Sequence, residues 1–485
     1  MIIKRYLFSS FLEKSRLKMI FRIRFCSNLS VNEELKEIIG FKDTDISNWI
    51  VEAKVKSLCY KYSLLPKMKR ENLLSTLASE YAVDHTVICH MSQKLACTEL
   101  NNQSQLITRE RSLRNLLTPP YHWLFTRMGR LENGIKFLVD LRTDLLQLIS
   151  ETTESNKITI LQELNTILRD LLLVWFSVGF LHLERITWQS SCDILQKISD
   201  YEAIHPMRNW TDLKRRVGPY RRCFVFTHPS MPREPLVVLH TALCDTIPDS
   251  VKGIEIAEKR ILGKTEVPLS FLQEDKAKIK AAIFYSIAST QKGLQGIELG
   301  NYLIKEVAKQ VTNEFPMIDQ LSTLSPIPNF RMWVIEKIKQ DPAKIFTACE
   351  QERLREILKS RDLFLDLKRL FNNSLWTNDE NLVAAFKEPL MRACAWYLYR
   401  EKRRNYALNN VANFHLRNGA VMWRINWMAD PSPRRTENSF GIMVNYRYFL
   451  EETESNSRNY IENKFIKASD SVISLAQNAE KLILI

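Results

Sequence analysis

Ala281-Ala-Ile-Phe-Tyr-Ser-Ile-Ala-Ser-Thr-Gln-Lys-Gly-Leu-Gln-Gly-Ile-Glu-Leu-Gly300 decides how the second half of this 485-residue chain is built. Residues 281–286 form a short apolar run without helical period, which reads as a buried strand, and the glycines beyond it end the strand in a loop. From 297 to 311 the apolar residues recur at three- and four-residue spacing, so a helix is expected as soon as the loop closes. In such a strand-loop-helix, Gly293, Gly296 and Gly300 let backbone approach a ligand. The N–H groups at the helix start favour an anionic phosphate. The same residues also fit a plain tight turn.

Upstream of this element, 223–228 and 236–243 are β-rich runs joined by the proline-rich loop His228-Pro-Ser-Met-Pro-Arg-Glu-Pro235, which predicts a hairpin with a long loop. Further strands are expected at 420–428 and 441–449. In the first of these, Val421, Trp423, Ile425 and Trp427 share one face by the two-residue period. Helices are expected at 331–339, 353–371 and 389–404. Residues 201–485 therefore read as a mixed α and β domain with a helical insertion at about 330–405.

Residues 33–200 read as helical almost throughout. Ile135, Leu138, Val139, Leu145, Leu146 and Ile149 keep helical spacing, as do Ile158, Leu161, Leu164, Ile167, Leu168, Leu171 and Leu172. The short polar link between the two groups predicts an antiparallel pair within a bundle. The longest apolar run, 171–181, is broken by Ser177 and Gly179. It is too short for a membrane span, which needs about 20 apolar residues, and is expected to be a buried helix.

The net charge of +14 is concentrated at the front. Lys4, Arg5, Lys14, Arg16, Lys18, Arg22 and Arg24 face Glu13 alone, among serines and aromatic residues. That acid-poor, amphipathic composition describes a mitochondrial transit peptide over residues 1–32. A start at Met19 would keep only Arg22 and Arg24 and is expected to leave a cytoplasmic pool. The chain finishes Lys481-Leu482-Ile483-Leu484-Ile485, without a peroxisomal Ser-Lys-Leu ending. Nine cysteines are scattered without a C-x-x-C pair, which fits a reducing compartment and no structural zinc. The basic segment Arg208 to Arg222 fits structural ion pairs, a ligand phosphate, or nucleic acid through Trp210 and Tyr220; its brevity weighs against the last.

Two further elements offer chemistry. In Leu324-Ser325-Pro326-Ile327-Pro328-Asn329-Phe330 a pair of prolines stiffens the backbone behind a serine hydroxyl. In Asn409-Asn-Val-Ala-Asn-Phe-His-Leu-Arg-Asn-Gly-Ala420 a histidine stands in what reads as a polar loop entering a strand. On residues alone, Ser325 also fits a cap for the following helix and His415 a satisfied core histidine.

The strand-loop-helix at 281 is similar to the one that holds coenzyme A pyrophosphate in GNAT-like acyltransferase folds. Longer runs are more specific. Arg208-Asn-Trp-Thr-Asp-Leu-Lys-Arg-Arg-Val-Gly-Pro-Tyr-Arg-Arg222, Gly293-Leu-Gln-Gly-Ile-Glu-Leu-Gly300, Leu324-Ser-Pro-Ile-Pro328, Cys394-Ala-Trp-Tyr-Leu-Tyr399, Val411-Ala-Asn-Phe-His415, Trp423-Arg-Ile-Asn-Trp-Met-Ala-Asp430 and Asn445-Tyr-Arg-Tyr-Phe-Leu-Glu-Glu-Thr453 resemble the malonyl-CoA decarboxylase family, in order, from about 185 to 475. Asn329 stands where that family usually has glycine.

The resemblance implies an α+β multidomain protein, an all-helical N-terminal oligomerisation bundle followed by a GNAT-like acyl-CoA-binding catalytic domain. It implies a carboxy-lyase that turns malonyl-CoA into acetyl-CoA and carbon dioxide and so regulates malonyl-CoA and fatty acid metabolism. Ser325 and His415 occupy the positions of the catalytic serine and histidine. Gln295, Gly296, Ile297, Glu298, Leu299, Gly300 and Asn301 match the acyl-CoA-binding loop, and Glu298 and Tyr448 match residues near the reacting acyl group. No cofactor, metal, nucleic acid or membrane span is expected, and the partner is a second copy in a homo-oligomer, a tetramer. An acyl-CoA N-acyltransferase on the same fold and a non-catalytic acyl-CoA-binding protein stand as alternatives.

Overall fold

The computed structural model describes residues 30–483 apart from 203, 263–273, 298, 360–361 and 374. The expected transit peptide therefore lies almost wholly outside the described residues. Ser30 is already the cap of the first helix, α1 (Val31–Gly40), where it and Glu33 form a reciprocal capping box. Such a cap contributes about 1 kcal/mol by pairing two N–H groups that the helix start leaves open.

Contacts divide the chain into two units, one running through Ser177 and including Gln291–Ile297, the other holding Val178–Thr290 and the chain beyond Ile297. In the first unit α1 is followed by α2 (Asn48–Leu64), α3 (Lys67–Glu80), α4 (His85–Ala96), α5 (Gln103–Leu116), α6 (Pro120–Gly129), α7 (Gly134–Glu151) and α8 (Ser155–Trp175). As the spacing predicts, α7 and α8 pack on each other, and Leu138, Val139, Leu145, Leu161, Leu164 and Leu168 are all buried. The run at 171–181 is not a buried helix. Helix α8 stops at Trp175, and Leu173, Val174 and Phe180 are exposed, because the helix turns inward the face that carries Leu161, Leu164, Leu168 and Leu172. Among the described residues no helix is long and apolar enough to cross a membrane.

The second unit is built on a sheet ordered β1-β2-β3-β4-β5-β10-β6, with β9 also paired to β10. These strands are β1 (His182–Ile186), β2 (Arg221–Thr227), β3 (Val237–Cys244), β4 (Ala281–Ser289), β5 (Gln320–Thr323), β6 (Ser325–Pro326), β9 (Val421–Asn426) and β10 (Met443–Tyr448); a separate hairpin pairs β7 (Lys402–Arg403) with β8 (Tyr406–Ala407). The β2–β3 hairpin forms as expected. Strand β1 departs from the expectation that 33–200 is helical: it pairs antiparallel with β2, and its polar, exposed residues suit a sheet edge.

The pairing of β4 with β5 is parallel, whereas β1–β2, β2–β3, β3–β4, β5–β10, β6–β10 and β9–β10 are antiparallel. A parallel neighbour needs a crossover, and α12 (Leu299–Glu314) supplies it. The helices α9 (Cys192–Tyr201), α10 (Trp210–Arg216) and α11 (Val251–Leu262) precede that crossover. The expected insertion resolves into α13 (Phe330–Gln340), α14 (Ala348–Leu358), α15 (Leu363–Phe371) and α16 (Glu380–Tyr399). Helix α17 (Asn410–Arg417) precedes β9, α18 (Pro433–Ser439) precedes β10, and α19 (Thr453–Asn463) and α20 (Asp470–Ile483) close the unit.

Candidate active site

Ser325 begins β6, where it stands opposite Val444 of β10. The prolines behind it fix the exit of the chain, and Asn329 then takes φ 64°, ψ 2° at the start of α13. That left-handed conformation favours glycine and is tolerated by asparagine, which accounts for Asn329 at a glycine position. Ser325 does not cap the helix.

His415 is not in a loop. It lies on α17, a short helix capped by Asn409, whose side-chain oxygen accepts from the N–H groups of Val411 and Ala412 at 3.1 and 3.0 Å. The asparagine-rich sequence that reads as a loop contains a helix cap and, in Asn413, a partner for the Tyr460 hydroxyl. Asn409 also donates through Nδ2 to the Pro328 carbonyl at 3.0 Å, a carbonyl that accepts from the Tyr397 hydroxyl as well. One buried asparagine thus fixes both the start of the histidine helix and the loop behind the serine.

The fold closes the 90-residue gap between Ser325 and His415. Ser325 Oγ is 3.0 Å from His415 Nε2, and His415 Nδ1 is 2.8 Å from the Tyr448 hydroxyl on β10. Tyr446 stacks on the imidazole at 4.5 Å between centroids. Behind Ser325, its hydroxyl donates to Thr323 Oγ1 at 2.9 Å, which also accepts the Tyr446 N–H at 3.1 Å. Ser325, His415, Tyr448 and Thr323 are all buried. Burial pushes His415 down to about 3, because the charged imidazolium would lose its water, and pushes the Tyr448 phenol well up. Both are neutral at physiological pH.

A neutral imidazole carries one ring proton. With Tyr448 donating to Nδ1, Nε2 holds that proton and donates to Ser325 Oγ, which donates onward to Thr323. The bonds then run in one direction from phenol to threonine. This arrangement can hold a serine hydroxyl in place and exchange a proton with it in a buried site. Nothing in the sequence singled out Thr323; Asn409 carried a signal, a cap residue directly before an amphipathic run.

The expected binding loop is divided. Gln295, Gly296 and Ile297 belong to the helical unit, after a single turn of 3-10 helix, Lys292–Leu294, and Gly296 has φ 81°. Leu299, Gly300 and Asn301 open α12 in the second unit. There Gly300 faces the ring of Phe414, the neighbour of His415, so closely that an added Cβ would lie 3.2 Å from it. Glu298 lies outside the described residues.

Four of the six cations in the basic segment are held in ion pairs. Arg215 and Arg221 share the buried Glu258 at 2.8 and 2.7 Å, Arg222 holds Glu274 and Glu314 at 2.6 and 2.7 Å, and Arg216 pairs with Asp212 at 2.9 Å. Lys214 places its ammonium over the Trp188 ring. Of the three roles open to this segment, structural pairing is the one these contacts fill.

The chain matches the sequence profile of the malonyl-CoA decarboxylase C-terminal domain over residues 179–483 and that of the N-terminal domain over residues 81–176. It is 47% identical over 421 residues to the mitochondrial malonyl-CoA decarboxylase of Anser anser anser, spanning 85% of this chain and 81% of that one. With the mitochondrial enzyme of Mus musculus the identity is 45% over 426 residues, spanning 85% and 84%. Among solved structures, malonyl-CoA decarboxylase from Rhodopseudomonas palustris superposes with a TM-score of 0.75 at 27% identity, covering 92% of this chain and 100% of the other. The protein of that name from Agrobacterium vitis gives 0.74 at 27% identity, covering 92% and 99%.

Proposed function

Because the chain belongs to the malonyl-CoA decarboxylase family, we propose that it is a carboxy-lyase converting malonyl-CoA to acetyl-CoA and carbon dioxide, with the buried Ser325–His415–Tyr448 array as its catalytic centre. The bond between the α-carbon and the carboxylate breaks, carbon dioxide leaves, and the electron pair moves onto the thioester carbonyl as an enolate. The thioester is itself the electron sink, so the reaction calls for no organic cofactor or metal. The protein must stabilise the enolate oxygen with fixed donors and return one proton to the α-carbon.

The Ser325 hydroxyl is a suitable donor, and Glu298 is read as lying near the acyl group. The α-carbon takes its proton from the Ser325–His415 pair, which solvent restores after each turnover. The neutral state of His415 fits this role: an imidazolium would pair with the substrate carboxylate and retain it, whereas the reaction has to release it. The observation that carries the reading is the 3.0 Å approach of Ser325 Oγ to His415 Nε2, both buried.

Incubating the protein with malonyl-CoA alone tests the reading. Carbon dioxide and acetyl-CoA should appear in equal amounts without any acceptor. A requirement for an amine would make the protein an N-acyltransferase, and binding without turnover would make it an acyl-CoA-binding protein.

The mitochondrial names of the relatives and the basic, acid-poor residues 1–32 support import into the mitochondrial matrix. A reporter fused to that segment should then co-localise with mitochondria, and a diffuse cytosolic signal would contradict this. The helical unit is read as the surface through which copies of the chain assemble as a tetramer, and the second unit as a GNAT-like domain.

A further inference from the structure

Arg142 is an arginine in the interior of a helical bundle. It lies on α7, 2% exposed, on the same face as Leu138, Leu141 and Leu145. Its Nη1 donates to the Gly293 carbonyl at 2.5 Å and its Nε to Asn165 Oδ1 at 2.9 Å. Among the described residues no carboxylate pairs with it. Burial, and then the charge of Arg169, push the guanidinium down to about 10, so it stays cationic at neutral pH. A cation taken out of water without a counter-ion is costly, and carbonyl oxygens are its compensation. One of those oxygens is the backbone of Gly293.

A second observation at the same place is independent of charge. The Cα of Gly293 is pressed against α7 so closely that an added Cβ would lie 1.8 Å from the Val139 carbonyl oxygen and 2.7 Å from its carbon. Only glycine fits there. Both contacts bear on the Lys292–Leu294 turn, from which Gln295, Gly296 and Ile297 continue; the Ile297 N–H returns to the Leu294 carbonyl at 3.0 Å.

We propose that Arg142 is a positioning residue for acyl-CoA binding: with the bare backbone of Gly293 it fixes the shape of the Gln295–Ile297 loop from within the helical unit. This rests on the reading above that the loop holds the acyl-CoA. The helical unit then does more than join copies of the chain. It sets the loop before the ligand arrives, and a preorganised loop spares the ligand the cost of ordering it. Loosening the anchor should weaken binding and leave the chemistry at Ser325 and His415 largely unchanged.

The experiment uses the full chain with Arg142→Met and Arg142→Lys. Acetyl-CoA affinity is measured by calorimetry, and KM and kcat for malonyl-CoA by carbon dioxide release. Losing a charge-assisted hydrogen bond should weaken acetyl-CoA binding and raise KM about tenfold, with kcat within about twofold. Lysine, which can still donate to the Gly293 carbonyl, should recover most of the affinity. A purely structural role would lower the melting temperature and the active fraction while leaving KM and affinity at wild-type values; that result overturns the proposal. Should Arg142→Met fail to fold, Asn165→Leu frees only the Nε bond and should raise KM about two- to threefold, and an unchanged KM there refutes the proposal equally. Gly296→Val separates the two levels. If it leaves acetyl-CoA affinity intact, the loop is not the binding loop and both readings fall, whereas lost affinity there beside normal affinity in Arg142→Met overturns this inference alone.

Discussion

Replacing Tyr448 by phenylalanine removes one oxygen from the proposed catalytic centre and little else. The ring keeps its edge contact with Phe284, and β10 keeps its pairing with β5. What is lost is the 2.8 Å hydrogen bond to His415 Nδ1. That nitrogen is buried, so water cannot replace the hydroxyl, and a buried polar atom left without a partner costs about 1–3 kcal/mol. The imidazole can recover part of this by moving its proton to Nδ1 or by turning, and either change disturbs Nε2 opposite Ser325. Tyr448 acts through His415, so turnover should fall by about ten- to a hundredfold, less than on removing the histidine itself. His415 is pushed down to about 3 and stays neutral throughout pH 5–8, so the ratio of wild-type to variant kcat should be flat over that range. The assay is carbon dioxide release at saturating malonyl-CoA across those pH values, alongside thermal unfolding. An unchanged kcat with a lowered melting temperature would refute the reasoning, because Tyr448 would then be a packing residue.

Gly419 ends the histidine helix with φ 77°, and an added Cβ would lie 1.8 Å from the Thr453 carbonyl oxygen. Gly419→Ala should therefore cost at least about 2 kcal/mol from the strained conformation and the collision together, read as a lower melting temperature, and an unaltered one would contradict this. Acid should destabilise the fold well above the pH at which carboxylates titrate. Burial holds His205 and His240 near 4 and His415 near 3, whereas the unfolded chain takes up these protons near 6.5. Below pH 6.5 the unfolded state thus binds more protons, and at pH 5 each such histidine costs about 2 kcal/mol of stability. The Glu202 carboxylate facing His205 and His240 offsets only part of the effect of burial. A melting temperature constant from pH 7 to pH 5 would count against these histidines being buried and neutral.

Patterns that depend on one local period were readable from the sequence. The β4–α12 unit followed from an apolar run, a glycine cluster and a helical repeat, and the β2–β3 hairpin from two apolar runs around prolines. Strand β1 was not readable, because an edge strand pairs on one side and His182-Leu-Glu-Arg-Ile186 shows no apolar alternation. Ser325 and His415 were identified through family resemblance, since residues 90 apart meet only after β6 and α17 are placed beside β10. The helix under His415 was missed because its asparagines resemble loop composition, although Asn409 was a legible cap. Arg142 was missed as well. Its position four after Leu138 and three before Leu145 places it on the buried face, a reading that charge alone discourages.

The central claim is that the Ser325–His415 pair carries out the decarboxylation. It is tested most directly by single-turnover carbon dioxide release from malonyl-CoA in Ser325→Ala and His415→Ala, with folding checked by thermal unfolding and acetyl-CoA binding by calorimetry. Both variants should fold and bind, with the serine variant slowed about a hundredfold or more and the histidine variant losing most of its turnover. Near-normal release from either folded variant would contradict the account.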